Sequence, residues 1–219
     1  MKLTIEKQDY HQPIAECLGL GMFEGEDPQR LPERLPPGFV ARLRSLIKRK
    51  LFTAKLKELR SFTLEDGTTL VVVGLGKKQE YDAERMRKAV AALTRFADSL
   101  KASRLAYNLH QDRVGKLSVS DRARECVVAS KLALYRFDEY KTEGREDITI
   151  KELVLFITKE QDRTHVQRGS EVGRIIGRAV CRARDLGNIP ANILHTGYFE
   201  RYAKRIAKEN DIPITVMDE

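Results

Sequence analysis

The chain has 219 residues, a net charge of +8, 42% hydrophobic and 33% charged residues. That composition is globular and excludes a disordered chain or a low-complexity tract. No apolar run approaches the ~20 residues of a membrane span, and the start, MKLTIEKQDY, lacks the apolar core of a secretory signal.

In chain order, the weak alternation of Lys2 to Lys7 predicts a strand, and the apolar run Ala15 to Phe23 a second, weakened by Gly19 and Gly21. Four prolines make Glu24 to Gly38 a surface loop. Apolar residues at 39, 40, 43, 46 and 47 predict a helix over Phe39 to Arg49. Lys57 to Leu64 and Thr69 to Leu75 flank Glu65-Asp66-Gly67-Thr68, which predicts a hairpin. The continuous run LVVVGLG predicts a strand buried on both faces.

Asp82 is placed to cap a helix carrying Met86, Val90, Leu93, Ala97 and Leu100 on one face. Then follow a short strand (Arg104 to Asn108), a helix (Ser120 to Phe137), a β-branched strand (Ile148 to Thr158) and a long helix (Asp162 to Leu186). Thr196 to Asn210 predicts a last helix and Ile212 to Met217 a last strand. This alternation around a central hairpin gives an α/β fold, a three-layer αβα domain with a mixed sheet. About 160 residues suffice for its core.

The charge is uneven. Between Pro36 and Arg60 stand eight cations, Arg42, Arg44, Lys48, Arg49, Lys50, Lys55, Lys57 and Arg60, against Glu58 alone, a net of +7. Such a segment either contacts phosphate backbones, through Arg42, Arg44, Lys48, Arg49, Lys50, Lys55 and Lys57, or is a solvated face. Gly74-Leu75-Gly76-Lys77-Lys78 suggests a nucleotide loop but fails both templates. Gln79 breaks GxGxxG, and Val71 and Lys78 stand where a P-loop needs Gly and Ser/Thr. The glycines are better read as letting the chain leave a buried strand under close packing.

Gly169, Gly173 and Gly177 recur every four residues of the long helix, so a neighbouring element packs close there. Arg174, Arg178 and Arg182 repeat at the same spacing and must face solvent or acidic partners. A helix of that length, roughly 37 Å at 1.5 Å per residue, suits a strut between domains. Three scattered cysteines fit a reducing cytosol, and the four histidines, His11, His110, His165 and His195, are read as structural or surface residues. No HExxH, GxSxG, CxxC or paired-carboxylate arrangement occurs.

Arg184-Asp185-Leu186, Asn188, Pro190 and Asn192 resemble the entry into the catalytic domain of the leucyl (cytosol) aminopeptidase family. Val71 to Leu93 and Leu134 to Glu143 resemble that family's N-terminal domain, in the same order. Gly187 and His195-Thr196-Gly197, where the family usually has Thr-Pro, depart from its pattern. The resemblance implies a macro-domain-like N-terminal domain over 1–160, a connecting helix over 161–187 and the truncated start of a catalytic domain over 188–219. It implies two divalent metal ions (Mn or Zn), peptide substrates, a homohexamer and a cytoplasmic location for the whole protein, and DNA binding in some members. The family's DTGG and NTDAEGR motifs are absent from this sequence, so no catalytic or metal-binding residue carries over. The chain itself is expected to be inactive, with residues after about Gly187 forming an orphaned beginning.

Overall fold

The hairpin forms around the Asp-Gly pair. Gly67 takes the positive φ of +85° that the turn demands, and Asp66 accepts the Thr68 N–H at 2.9 Å. The computed structural model describes residues 1–7, 15–31, 35, 38–112, 114–145 and 147–217. Residues 32–34 and 36–37 of the expected proline loop lie outside that set. The described part of the loop includes a 3-10 turn, Pro28–Arg30, capped by Asp27.

Among the described residues six strands build the sheet: β1 (Lys2–Lys7), β2 (Cys17–Phe23), β3 (Leu59–Thr63), β4 (Thr69–Gly76), β5 (Arg104–Tyr107) and β6 (Glu152–Ile157). Their order is β1-β6-β5-β2-β4-β3. Every pairing is parallel except the β3–β4 hairpin. The sheet is therefore mixed, with β4 buried from Leu70 onward as its unbroken apolar run requires.

Among the described residues five helices accompany it: α1 (Phe39–Lys48), α2 (Ala83–Ser99), α3 (Val119–Ala133), α4 (Arg163–Asn188) and α5 (Thr196–Glu209). Asp82 caps α2 by accepting the Arg85 N–H at 2.8 Å. Ser118 and Asp121 close a reciprocal capping box on α3. The alternating side chains of the strands feed two cores. On one face Val71, Val73, Leu105, Tyr107, Leu153 and Leu155 meet α2, α3 and Val166 of α4. On the other Leu18, Leu20, Leu70, Val72 and Phe156 meet Phe39 and Leu43 of α1 and Phe52. Helices on both faces give the three-layer αβα architecture.

The glycine stripe of α4 packs as its spacing predicts. A Cβ on Gly169 would stand 2.0 Å from the Ser120 carbonyl oxygen, and one on Gly173 would stand 2.6 Å from that of Arg124. A Cβ on Gly177 would stand 3.0 Å from Cβ and Cγ of Lys131. The small residues let α3 and α4 approach backbone to backbone.

The chain divides into two compact units, Met1–Arg178 and Ala179–Glu219. In the second, α4 ends at Asn188, just before Ile189-Pro190, as the restriction on a residue preceding proline requires. Arg182 bonds Glu209 of α5 at 2.7 Å. The strand expected over Ile212–Met217 does not form. No strand pairs it among the described residues, and Ile212, Ile214, Val216 and Met217 are exposed. An apolar β-branched run becomes a strand only where a neighbour meets its backbone groups.

Candidate functional site

The basic segment is built by burial of its apolar residues. Phe39 and Leu43 point α1 into the core, so Arg42, Arg44, Lys48 and Arg49 take its outer half. Helical geometry sets Arg42 with Arg49 on one flank and Arg44 with Lys48 on the other. The helix closes with a Schellman pair of bonds, Leu51 N–H to the Leu46 carbonyl and Lys50 N–H to the Ile47 carbonyl, both 2.9 Å. Lys50 takes the left-handed position, φ +56°, that glycine usually fills. Ala54 and Lys57 also have positive φ, +58° and +69°. Three such non-glycine residues within eight positions mark a segment held by its surroundings.

What holds it is Glu58 and β4. The Glu58 carboxylate accepts the Thr53 N–H and hydroxyl at 2.9 Å and the Lys55 N–H at 3.2 Å. Burial pushes that carboxyl up, but these bonds and nearby Arg60 outweigh it and hold it below its ordinary range. Gly76 N–H reaches the Ala54 carbonyl, and Lys57 N–H the Gly74 carbonyl, both at 3.0 Å. A Cβ at Gly74 would stand 2.0 Å from the Lys55 carbonyl oxygen. Gly74 thus serves close packing, as the failed nucleotide-loop templates implied.

Seven predicted contact residues, Arg42, Arg44, Lys48, Arg49, Lys50, Lys55 and Lys57, are exposed. Arg44 pairs with Asp27 at 3.5 Å, and Arg60 pairs with Glu58 and donates to the Leu51 carbonyl. Among the described residues no acidic side chain pairs with Arg42, Lys48, Arg49, Lys50, Lys55 or Lys57. Arg174 and Arg178 of the second arginine row are likewise exposed.

Sequence reasoning missed a polar cluster beyond the C-terminal ends of β2 and β5. His110 is fully buried, and neither ring nitrogen has a hydrogen-bond partner among the described residues. Burial, and then the charge of Arg122, push it down to about 3, so its ring is neutral. Arg122 Nε donates to the His110 carbonyl at 2.7 Å and its Nη1 to the Leu117 carbonyl at 2.6 Å. Burial and nearby Glu26 push the Asp112 carboxyl up to about 7, against the pull of Arg122 and Lys78. The Tyr81 hydroxyl is buried without a partner among the described residues. These residues come from four separate stretches with no common spacing, so no motif announced them.

Among the described residues, no group of three or more His, Cys, Asp or Glu is arranged to hold a metal ion. Nor is any described helix long and apolar enough to cross a membrane.

A parallel-dominated sheet with helices on both faces and an α3–α4 pair closed on glycine places the chain among αβα domains. Solved structures share that fold: a tomato leucine aminopeptidase mutant at TM-score 0.76 and 17% identity, covering 95% of this chain and 42% of that one. The bottromycin maturation enzyme BotP matches at TM-score 0.68 and 24% identity, covering 91% of this chain and 38% of its own. Residues 20–144 match the sequence family described as "Cytosol aminopeptidase family, N-terminal domain", and the chain belongs to that family. Two curated relatives named "Probable cytosol aminopeptidase" are each 26% identical. The one from Alkalilimnicola ehrlichii aligns over 96% of this chain and 43% of its own length. The one from Chromobacterium violaceum aligns over 95% and 41%. The chain thus spans about two fifths of the relatives it matches.

Proposed function

We propose that the chain is the non-catalytic N-terminal domain, with the opening of the second domain, of a leucyl aminopeptidase-like metallopeptidase. The whole protein would remove N-terminal residues from peptides in the cytosol, as a homohexamer. The observation that carries this reading is the colinear match to cytosol aminopeptidases over nearly the whole chain, with the family's N-terminal domain matched at residues 20–144. The chemistry would come from two divalent ions, Mn or Zn, that activate water and polarise the scissile carbonyl. Their ligands would lie in DTGG- and NTDAEGR-like motifs outside this sequence. The domain boundaries follow the resemblance, with a macro-domain-like unit over 1–160 and a connecting helix over 161–187. The test is hydrolysis of leucine amide by the purified chain with Mn²⁺ or Zn²⁺. No turnover is expected, and turnover abolished by chelation would refute the non-catalytic assignment.

A second reading is duplex DNA binding through the 36–60 segment. It is favoured by six exposed cations without acidic partners among the described residues. Binding through phosphates would weaken steeply with salt. A duplex titration at two salt concentrations decides it, and no binding at low salt removes the reading.

A further inference from the structure

β1 lies at the edge of the sheet, and its backbone alternation is fixed by one bond. The Lys2 N–H donates to the Lys151 carbonyl at 2.7 Å, in a parallel register that sets Lys2 beside Glu152. Backbone groups alternate along a strand, so those of Lys2, Thr4 and Glu6 face β6 while those of Leu3 and Ile5 face outward. Arg163 meets the Ile5 carbonyl from that outer side, at 2.8 Å. Among the described residues no strand pairs this edge. A groove of about 630 Å³ runs along it, lined by Leu3 and Ile5 and by Gln167, Ser170 and Arg174 of α4. The buried Ser170 hydroxyl in its wall has no hydrogen-bond partner among the described residues. An open strand edge is a template for another strand.

We propose that β1 pairs, antiparallel, with β1 of a second copy of this chain, about a two-fold axis through Thr4. A symmetric antiparallel pair must match outward-facing residues, and matches among Leu3 and Ile5 give three registers: Leu3 with Leu3, Leu3 with Ile5, or Ile5 with Ile5, whereas Ile5 with Lys7 would set Glu6 against Glu6. The first sets Lys2 opposite Thr4, and the third sets Glu6 opposite Thr4. The middle register sets Lys2 of each copy opposite Glu6 of the other. It also sets Leu3 opposite Ile5 on the apolar face and exchanges both backbone hydrogen bonds of each such pair. The charges extend a row already present: Lys2 meets Glu152 at 3.4 Å, Glu152 meets Arg104 at 3.1 Å, and Arg104 meets Glu6 at 2.6 Å. Arg163 gives up the Ile5 carbonyl and keeps its pair with Glu160. An extended peptide from another protein would use the same edge, but nothing on this strand selects its charges. The Lys2–Glu6 match selects a second copy.

Sedimentation equilibrium of the 219-residue chain over a wide concentration range, with a charge swap, tests this. The expected result is a concentration-dependent dimer. Glu6→Lys should weaken it about tenfold, since two cross-strand ion pairs become repulsions. Lys2→Glu added to Glu6→Lys should restore it. A second readout survives any loss of stability in those variants. Thr4 faces Thr4 in a non-hydrogen-bonded pair, where Cα atoms stand ~4.5 Å apart, within disulfide reach. Thr4→Cys in a Cys181→Ser background should therefore give a covalent dimer on mild oxidation. The remaining thiols do not compete, because Cys17 and Cys126 are buried, Cys17 being pushed up to about 12. A chain that stays monomeric, a dimer that Thr4→Cys fails to trap, or a dimer indifferent to the charge swap overturns the proposal.

Discussion

Substituting alanine in turn at Gly169, Gly173 and Gly177 should give a graded series whose sign changes along one helix. Alanine at a helix-interior glycine gains ~1 kcal/mol of helix propensity. Against that stands the space each Cβ meets. Ordinary contact begins at 3.4 Å, and the three positions offer 2.0, 2.6 and 3.0 Å. At Gly169 the obstacle is the Ser120 carbonyl oxygen, with its carbonyl carbon at 2.8 Å and Cα at 3.0 Å behind it. Backbone cannot rotate away, so α4 must retreat by about 1.4 Å, and overpacking of that kind costs ~1–3 kcal/mol. The net for Gly169→Ala is a loss of up to ~2 kcal/mol. Gly173 meets the Arg124 carbonyl oxygen less closely, for a loss of ~1 kcal/mol or less. Gly177 meets Cβ and Cγ of Lys131, a side chain with room to turn, so propensity wins and Gly177→Ala is neutral or stabilising by up to ~1 kcal/mol. Thermal unfolding followed by circular dichroism reads the series at ~2–4 °C per kcal/mol. If Gly169→Ala proves as stable as Gly177→Ala, the close α3–α4 approach is wrong.

Asp112 sets a pH dependence. Its carboxyl stands at about 7 in the fold against an ordinary 3.8, so between those values the folded state holds a proton that the unfolded chain has lost. That contribution is full below 3.8 and is lost as pH rises through about 7. Asp112→Asn should flatten this slope and raise the melting temperature above pH 7. Asp98 is a buried carboxylate held by the Thr149 N–H and hydroxyl at 2.8 Å and by Arg136 at 2.7 Å. Asp98→Ala removes the acceptor of the Thr149 N–H and should cost ~1–3 kcal/mol in urea denaturation. Ser118→Ala removes one half of the α3 capping box and should cost ~1 kcal/mol by the same measurement.

Local signals carried most of the element reading. Asp66-Gly67 marked the hairpin, Asp82 the start of α2 and Pro190 the end of α4, because each acts within a few residues of itself, while the glycine stripe marked a close neighbour of α4 without identifying it as α3. Strand order was not legible, since β1 joins β6 through backbone bonds that any strand could offer. Ile212–Met217 misled because β-branched residues report suitability for a strand and not the presence of a neighbour. The exposed cations of 42–57 could be read as a run. The buried group of Tyr81, His110, Asp112 and Arg122 could not, because it exists only once α2, β5 and α3 have been brought together.

The β1–β6 pairing also has a consequence for synthesis. Lys2 bonds beside Glu152, so β1 emerges from the ribosome about 150 residues before its partner exists. At ~5–20 residues per second it waits on the order of ten to thirty seconds. During that interval β2, β3 and β4 can assemble, while β1 cannot join the sheet until β6 is delivered. A nascent chain stalled before Glu152 should therefore carry a protease-sensitive β1 on a partly built sheet, and the same sites should close once β6 is out.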